Sequence, residues 1–298
     1  MQNKIFFAFI LLGLSSLFWS GNFLTAKLAF NYSLSPLKLS FFRWLLAFII
    51  IVPFTFRDVF NHRELIKKDI YKIIILSILG VTIFNSFTYI ALQSTLVINA
   101  SLMASIAPLL IIFFSWLIIN AKTSFFQFFG IILSIIGVIC IILKGEFNNL
   151  LFLEFIPGDL WMFVAVFCWG LYSVILKKLN PKLPLIPTLT VMILFGLIFI
   201  FPFYFIESFT YGFFPNKFSD LLMIFYVAVF AGIFSFIFWN KGVSIIGANR
   251  AGIFLHLIPL FSSIWAIFIL DEKFSMYHTF GILFIVIGII LANFKVNL

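Results

Sequence analysis

The chain has 298 residues, of which 64% are hydrophobic, 20% are aromatic and 10% are charged. Soluble globular domains carry about 25% charged residues, so this composition leaves too little charge to cover a soluble protein. It excludes a cytosolic enzyme, a nucleic-acid-binding module and a disordered chain, and it indicates a protein whose partner is the lipid bilayer. The net charge of +9 therefore reports membrane topology rather than affinity for DNA.

Runs without Asp, Glu, Lys or Arg match the length of a helix across a hydrocarbon core of about 30 Å. Arg43 alone interrupts the second run. The run 73–121 has 49 residues, which is too long for one helix, and it divides at the polar residues within 93–99. We therefore predict an all-α membrane protein with ten spans. In chain order these are residues 5–26, 39–56, two within 73–121, and then 123–143, 160–176, 183–206, 221–240, 251–270 and 274–294.

Basic residues are distributed unevenly around these spans. With the N-terminus inside, thirteen Lys and Arg residues fall inside and five fall outside, with Arg43 within a span. Such a bias marks the cytoplasmic side, so we predict an inner or plasma membrane protein with both termini in the cytoplasm. The basic loop 57–72 then lies at an anionic headgroup surface. The first span also has signal-peptide features, but its counterpart in the second half favours a permanent span.

The two halves of the chain repeat each other. Residues of the same type recur at offsets of 150 or 151 in the same order, which is more than isolated coincidence. The pairs are Trp19–Trp169, Lys27–Lys177, Pro36–Pro187, Pro108–Pro259, Lys122–Lys273, Gly130–Gly281 and Gly137–Gly288. We predict two five-helix repeats, residues 1–148 and 156–298. Because five is odd, the second repeat enters the membrane inverted, and inverted repeats are typical of transporters.

Local patterns agree with a known family. Each half carries a Trp in its first span, and span 2 carries a Ser-Pro start and an aromatic run around an arginine. These patterns read Phe18-Trp19-Ser20-Gly21-Asn22, Cys168-Trp169-Gly170-Leu171-Tyr172, Ser35-Pro36 and Phe41-Phe42-Arg43-Trp44. Prolines in spans 4 and 9, glycines in spans 5 and 10, and the loop Asp271-Glu272-Lys273 fit as well, although the first half has Asn120-Ala121-Lys122 in place of the acidic loop. Over its whole length the chain resembles the EamA-like family of the drug/metabolite transporter superfamily.

The resemblance implies a secondary transporter that exports or exchanges small organic metabolites through a cavity between the halves by alternating access. An uptake carrier is the alternative, for example for S-adenosylmethionine or another host metabolite in a bacterium with a reduced, AT-rich genome. The partners implied are a small-molecule substrate and the bilayer. A membrane enzyme is disfavoured, because the sequence has no His-Glu-x-x-His motif and no paired intramembrane aspartates.

Four residues within the spans are candidates for a role in the pathway. Arg43 can hold a carboxylate or phosphate, or it can instead snorkel to the outer interface. His256 can relay a proton, or it can be a hydrogen-bonded structural residue. Pro108 and Pro259 lie near the middle of spans 4 and 9, where a proline frees a backbone carbonyl. They either line or flex the pathway, or they form static kinks needed for packing.

Aromatic and amide side chains complete the candidate set for substrate binding. Aromatic faces stack on planar ligands and attract cations, although most aromatic residues of such a chain serve packing. Asparagines within spans either bind substrate or bridge helices. These candidates are Trp19, Tyr89, Trp169, Tyr172, Trp239, Asn22, Asn85, Asn99 and Asn240.

Small residues recur at four-residue spacing in spans 5 and 10, as Gly130 with Ser134 and Gly288 with Ala292. This spacing permits close helix packing, and a homodimer through these spans is the alternative. The two cysteines lie in apolar runs and are expected to be buried, and we predict no metal and no cofactor.

The carboxylates lie at span ends rather than in span cores. Those nearest the spans are Asp159, Glu207, Asp220 and Asp271. Proton-driven carriers commonly use embedded carboxylates, so we expect facilitated diffusion or exchange rather than proton coupling.

The predicted topology is testable by cysteine labelling. In a background with Cys140 and Cys168 replaced by Ala, Asn61→Cys should resist an impermeant maleimide in intact cells and react after permeabilisation. Lys217→Cys, on the predicted outer side, should react in intact cells. Ready labelling of Asn61→Cys from outside would contradict the topology.

Overall fold

A computed structural model describes residues 2–30, 34–95, 100, 103–146, 148, 156–270 and 276–293, with only the backbone described for residues 2 and 266–270. The regular secondary structure of these residues is entirely helical, which confirms the all-α prediction. Asn99 and the loop 271–273 lie outside the described residues. We number the longer helices α1 (Gln2–Ala29), α2 (Pro36–Asn61), α3 (Ile70–Ser94), α4 (Ala107–Ile119), α5 (Phe125–Ile142), α6 (Pro157–Ile175), α7 (Leu185–Tyr211), α8 (Phe218–Ile246), α9 (Leu257–Leu270) and α10 (Met276–Asn293).

Eight of these helices are long and apolar enough to cross a membrane. The two exceptions are α4, with 13 residues, and α9, with 14. In the described part of the chain the structure thus holds eight candidate membrane helices where ten spans were predicted. The difference falls at the two repeated prolines.

Pro108 and Pro259 lie in the first turns of α4 and α9, not near the middle of a helix as predicted. A proline lacks the backbone N–H and crowds the carbonyl four residues earlier, which a first turn tolerates and a helix interior does not. A turn at residues 105–106 precedes α4, and a 3₁₀ segment, Ile253–His256, leads into α9. The two prolines therefore begin regular helix after an interruption instead of kinking it.

Two other helices are irregular at corresponding places. α3 contains the π-helical segment Ser77–Ile83, and α8 contains the π-helical segment Val227–Phe234. The starts of these segments are 150 residues apart, which is the offset of the sequence repeat. A π turn is wider than an α turn and lets carbonyl oxygens meet side-chain donors, and such turns are frequent at functional sites.

Glycines bring α5 and α10 into close antiparallel contact. A Cβ atom at Gly130 would lie 2.5 Å from the carbonyl oxygen of Gly288, and one at Gly137 would lie 2.7 Å from that of Gly281. Gly130 thus meets Gly288, which is the repeat counterpart of Gly137, and Gly137 meets Gly281, which is the repeat counterpart of Gly130. The packing interpretation of the small-residue spacing is confirmed, and a homodimer stays a prediction.

Both cysteines, Cys140 and Cys168, are buried as predicted. Large apolar side chains cover the outside of the helices. Exposed examples from four helices are Phe54, Ile198, Leu222 and Ile290. Such a surface is stable against lipid tails and is an aggregation liability in water. The described helices therefore form a multi-pass membrane protein.

The glycine contact predicts a stability change. Gly130→Ala should lower the thermal midpoint of the purified protein, because a methyl group would overlap backbone atoms at a cost of about 1–3 kcal/mol. Gly13→Ala is the matched control, since its Cβ would meet nothing within 4 Å and alanine favours the helix. Equal midpoints for the two variants would contradict the contact.

Candidate functional site

Four buried aromatic rings meet where α1, α6 and α8 come together. Trp19 packs edge-on against Trp169 with ring centroids 5.0 Å apart. Trp239 lies 5.6 Å from Trp19 and 5.4 Å from Trp169. Phe236 completes the group at 6.0 Å from Trp19 and 5.5 Å from Trp169. We call these four residues the tryptophan cluster.

Arg43 lies beside this cluster and has no exposed surface, so it does not snorkel to the interface. Its Nη1 donates to Asn85 Oδ1 at 2.5 Å and to Tyr89 Oη at 2.7 Å, with Asn22 Oδ1 at 3.4 Å. The guanidinium carbon lies 4.8 Å from the centroid of the Trp44 ring. These neutral dipoles and the ring face offset the cost of removing the charge from water. We call Arg43, Asn22, Asn85 and Tyr89 the arginine cluster.

The π segments provide carbonyl acceptors to both clusters. Arg43 Nη2 donates to the Ala231 carbonyl at 2.8 Å, and Trp19 Nε1 donates to the same oxygen at 3.1 Å. On α3, Asn85 Nδ2 donates to the Gly80 carbonyl at 2.7 Å. The Ala231 carbonyl thereby joins α1 and α2 of the first half to α8 of the second.

Two Tyr–Asn hydrogen bonds occupy corresponding positions with the residue types exchanged. Tyr89 Oη on α3 donates to Asn22 Oδ1 on α1 at 2.7 Å, and Tyr172 Oη on α6 donates to Asn240 Oδ1 on α8 at 2.9 Å. Asn22 and Tyr172 are 150 residues apart, and Tyr89 and Asn240 are 151 apart. All four side chains are buried. The same interaction is thus made once in each half.

A small cavity of about 30 Å³ touches both clusters. It has room for about one water molecule. Ala104 and Leu255, each four residues before one of the prolines, are part of its wall, so the interrupted segments before α4 and α9 border it. The clusters contribute Trp19, Asn22, Asn85 and Trp169 to its lining.

A larger cleft of about 650 Å³ opens at the predicted cytoplasmic face, between the α6–α7 connection, α7 and the end of α8. Its described lining includes Lys177, Lys182 and Lys241 and contains no Asp or Glu. Asn240 also lies on its wall. Because Tyr172 bonds Asn240 and stacks on Trp169 at 4.9 Å, this Tyr–Asn pair separates the cleft from the tryptophan cluster.

Contacts between helices close the opposite, predicted outer end. Glu207 on α7 accepts hydrogen bonds from Ser35 Oγ at 2.5 Å and from the Lys38 backbone N–H at 3.0 Å, and so caps the N-terminus of α2. Thr95, next to the end of α3, donates to the Asp159 carboxylate at the start of α6. These bonds link each half to the other.

Asp69 forms a polar contact at the predicted cytoplasmic face. It accepts hydrogen bonds from the Lys72 ammonium at 2.7 Å and from the Asn180 backbone N–H at 2.6 Å. Burial raises the pKa of the Asp69 carboxyl. The hydrogen bonds from Lys72 and Asn180 together lower this pKa by more than burial raises it, so the net pKa lies below its ordinary value of 3.8. The contact joins the start of α3 to the α6–α7 connection.

His256 lies apart from both clusters. Its Nε2 is 2.9 Å from the Ser105 carbonyl oxygen and its Nδ1 is 2.7 Å from Ser134 Oγ. Because a carbonyl only accepts, the proton is assigned to Nε2, and Nδ1 accepts from the serine. With both nitrogens bonded and no exposed surface, the residue links α5 to the turn before α4, in agreement with a structural role.

Ten of the predicted binding residues are described by the structure, and nine of them form one connected group, with His256 as the exception. The nine are Trp19, Asn22, Arg43, Asn85, Tyr89, Trp169, Tyr172, Trp239 and Asn240. Trp44, Phe236 and the Ala231 carbonyl were not among the binding residues predicted from the sequence. Glycines in the middle of spans 3 and 8, Gly80 and Gly232, were the available signal for the irregular turns.

These apolar helices and buried polar clusters define a multi-pass membrane protein with an internal repeat. The chain belongs to the EamA-like transporter family, whose sequence profile matches residues 6–143 and again residues 156–294. The predicted membership in the drug/metabolite transporter superfamily is thereby confirmed.

Relatives and one solved structure extend the similarity over the whole chain. An uncharacterized transporter of Archaeoglobus fulgidus is 28% identical over 296 residues, covering 96% of this chain and 97% of the relative. The uncharacterized transporter YyaM of Bacillus subtilis is 25% identical over 290 residues, covering 95% and 92%. A crystal structure with 17% identity matches 98% of this chain and 97% of its own with a TM-score of 0.74, which establishes a shared fold.

The Asp69 contact predicts a pH-dependent contribution to stability. A carboxyl with a lowered folded pKa stabilises the protein above its unfolded pKa, and this stabilisation is lost as the pH falls through the folded value. At pH 7, Asp69→Asn should therefore lower the thermal midpoint by an amount equivalent to about 1 kcal/mol. The difference from the unmodified protein should shrink below about pH 4.

Asp58→Asn, at an exposed position near the end of α2, serves as the control and should have no effect. A loss of stability in Asp69→Asn that stays constant between pH 7 and pH 3 would contradict the assignment.

Proposed function

We propose that the chain is a secondary transporter that moves a small organic metabolite across the cell membrane by alternating access, in export or exchange. Its two halves are five-helix repeats, residues 1–148 and 156–298, inserted in opposite orientations. The observation that carries this proposal is the set of contacts between repeat counterparts.

Contacts between counterparts support a pseudo-two-fold relation. In a two-fold arrangement, if residue i meets the counterpart of j, then j meets the counterpart of i. The glycines of α5 and α10 meet in this crossed way. Trp19 and Trp169 are repeat counterparts and touch each other, as residues next to a two-fold axis must. Antiparallel contact of counterpart helices is what an inverted repeat requires.

The helix interruptions support the same function. Transporters of this design bind substrate near the membrane midplane, where discontinuous helices offer backbone groups to the site. Here the π segments of α3 and α8 and the breaks before α4 and α9 surround the two clusters. Within the described residues, each half has one π segment and one interruption before a helix that begins at a proline.

The two Tyr–Asn pairs then act as gates that exchange roles. In the present conformation the Tyr172–Asn240 pair borders the open cleft, and the Tyr89–Asn22 pair is buried under the closed outer end. When the two halves exchange conformations, the outer end opens. The Tyr89–Asn22 pair then borders an open cleft, and the Tyr172–Asn240 pair is buried. The substrate binds between the gates, next to the tryptophan cluster.

The transport cycle proceeds without proton coupling. The spans hold no central carboxylate, and His256 is bonded at both nitrogens away from the cavity. The direction of net transport then follows the substrate gradients.

Reconstitution tests this function. Proteoliposomes are loaded with equal concentrations of succinate, citrate, glycerol 3-phosphate, alanine, putrescine, choline and mannitol, and efflux is followed by mass spectrometry. We expect saturable efflux of particular solutes, accelerated by the same solute outside and not driven by a pH gradient alone. Retention of every solute, or a conductance that does not saturate, would contradict a carrier.

Gate variants sharpen the test. Tyr172→Phe removes the hydroxyl that bonds Asn240 and should slow the exchange of the transported solute several-fold. Tyr71→Phe is the control, because Tyr71 is 80% exposed at the start of α3.

Accumulation that follows an imposed pH gradient and disappears in His256→Ala would contradict the uncoupled mechanism.

A further inference from the structure

We infer that the transported solute is an organic anion that binds between the arginine and tryptophan clusters through carboxylate or phosphate oxygens. This inference rests on the proposed function and names the charge class of its substrate. Three independent observations carry it: unpaired donors, a buried charge without a carboxylate, and the charge of the cleft.

The buried side-chain atoms of the two clusters and Trp44 that have no hydrogen-bond partner among the described residues are all donors. Four buried N–H groups there have no partner among the described residues, and all four belong to the two clusters or their direct neighbour. They are Arg43 Nε and the indole Nε1 atoms of Trp44, Trp169 and Trp239. A buried donor without a partner costs about 1–3 kcal/mol, so a ligand rich in acceptor oxygens is favoured there.

Arg43 is a full charge surrounded by neutral groups. Its partners are two amide oxygens, a phenol hydroxyl and a backbone carbonyl, and none of its described contacts is a carboxylate. Buried charges in proteins are usually paired with an opposite charge. A carboxylate or phosphate of the substrate supplies that charge, and the planar guanidinium fork is suited to bind it in a bidentate way.

The cleft adds a field of the same sign. Lys177, Lys182 and Lys241 line a space of about 650 Å³ that reaches Asn240 of the Tyr172–Asn240 pair. Clefts lined by one sign of charge concentrate solutes of the opposite sign. An anion is therefore attracted into the cleft, on whose wall Asn240 lies.

The charge class is read from the loaded proteoliposomes described above. We expect efflux of at least one of succinate, citrate and glycerol 3-phosphate, with putrescine, choline and mannitol retained. Arg43→Gln should slow that efflux at least tenfold, and Arg43→Lys should recover part of the rate, because Lys keeps the charge and lacks the fork. Arg57→Gln, an exposed position on the same helix, should leave the rate unchanged.

The outcomes separate the inference from the function on which it rests. Efflux of cations or neutral solutes alone would leave a transporter and overturn the anion inference. Anion efflux that is unchanged in a monodisperse Arg43→Gln protein would overturn the role of Arg43. Retention of every solute would overturn the transporter and the inference together. If Arg43→Gln does not fold, the charge selectivity of the unmodified protein still decides the substrate class.

Discussion

The central part of this structure depends on the hydrogen bonds around a buried guanidinium whose partners among the described residues are all neutral. Removing such a charge from water costs several kcal/mol even after the protein relaxes. Arg43 is held by Asn85 and Tyr89 of α3 and by the Ala231 carbonyl of α8, so its partners come from two different helices. The carbonyl is available because α8 has a π turn at this point. The π turn therefore supplies an acceptor for the buried charge, and the charge in turn stabilises the irregular helix.

The repeat organises the same region in a second way. Each half provides an irregular helix with a π turn, a helix that begins at a proline, and one Tyr–Asn hydrogen bond. Within these features the sequences differ: asparagine and tyrosine have exchanged places, and Leu194 stands 151 residues after Arg43. The shape is thus close to symmetric, while the charge belongs to one half alone.

Much of this arrangement was predictable from the sequence, because length and charge distribution define membrane helices well. Most of the predicted binding residues lie together in the structure. Span cores carry few polar groups, so each polar residue in a span is informative about the site. The Ala231 carbonyl was not predictable, since a backbone acceptor has no residue type of its own. The sites of helix interruption were misjudged for a related reason: a proline is compatible with a kink and with a helix start, and only the neighbouring packing decides between them.

The close approach of the three indoles also has a spectroscopic consequence. Trp19, Trp169 and Trp239 lie with ring centroids between 5.0 and 5.6 Å apart. At such separations the electronic transitions of the rings couple, and the coupling depends steeply on distance and mutual angle. One ring belongs to the first half of the chain and two belong to the second. Coupling among these indoles should contribute to the circular dichroism of the protein, mainly in the far-ultraviolet, where the indole transition is strongest. It would serve as an intrinsic gauge of how the halves are placed, without an attached dye.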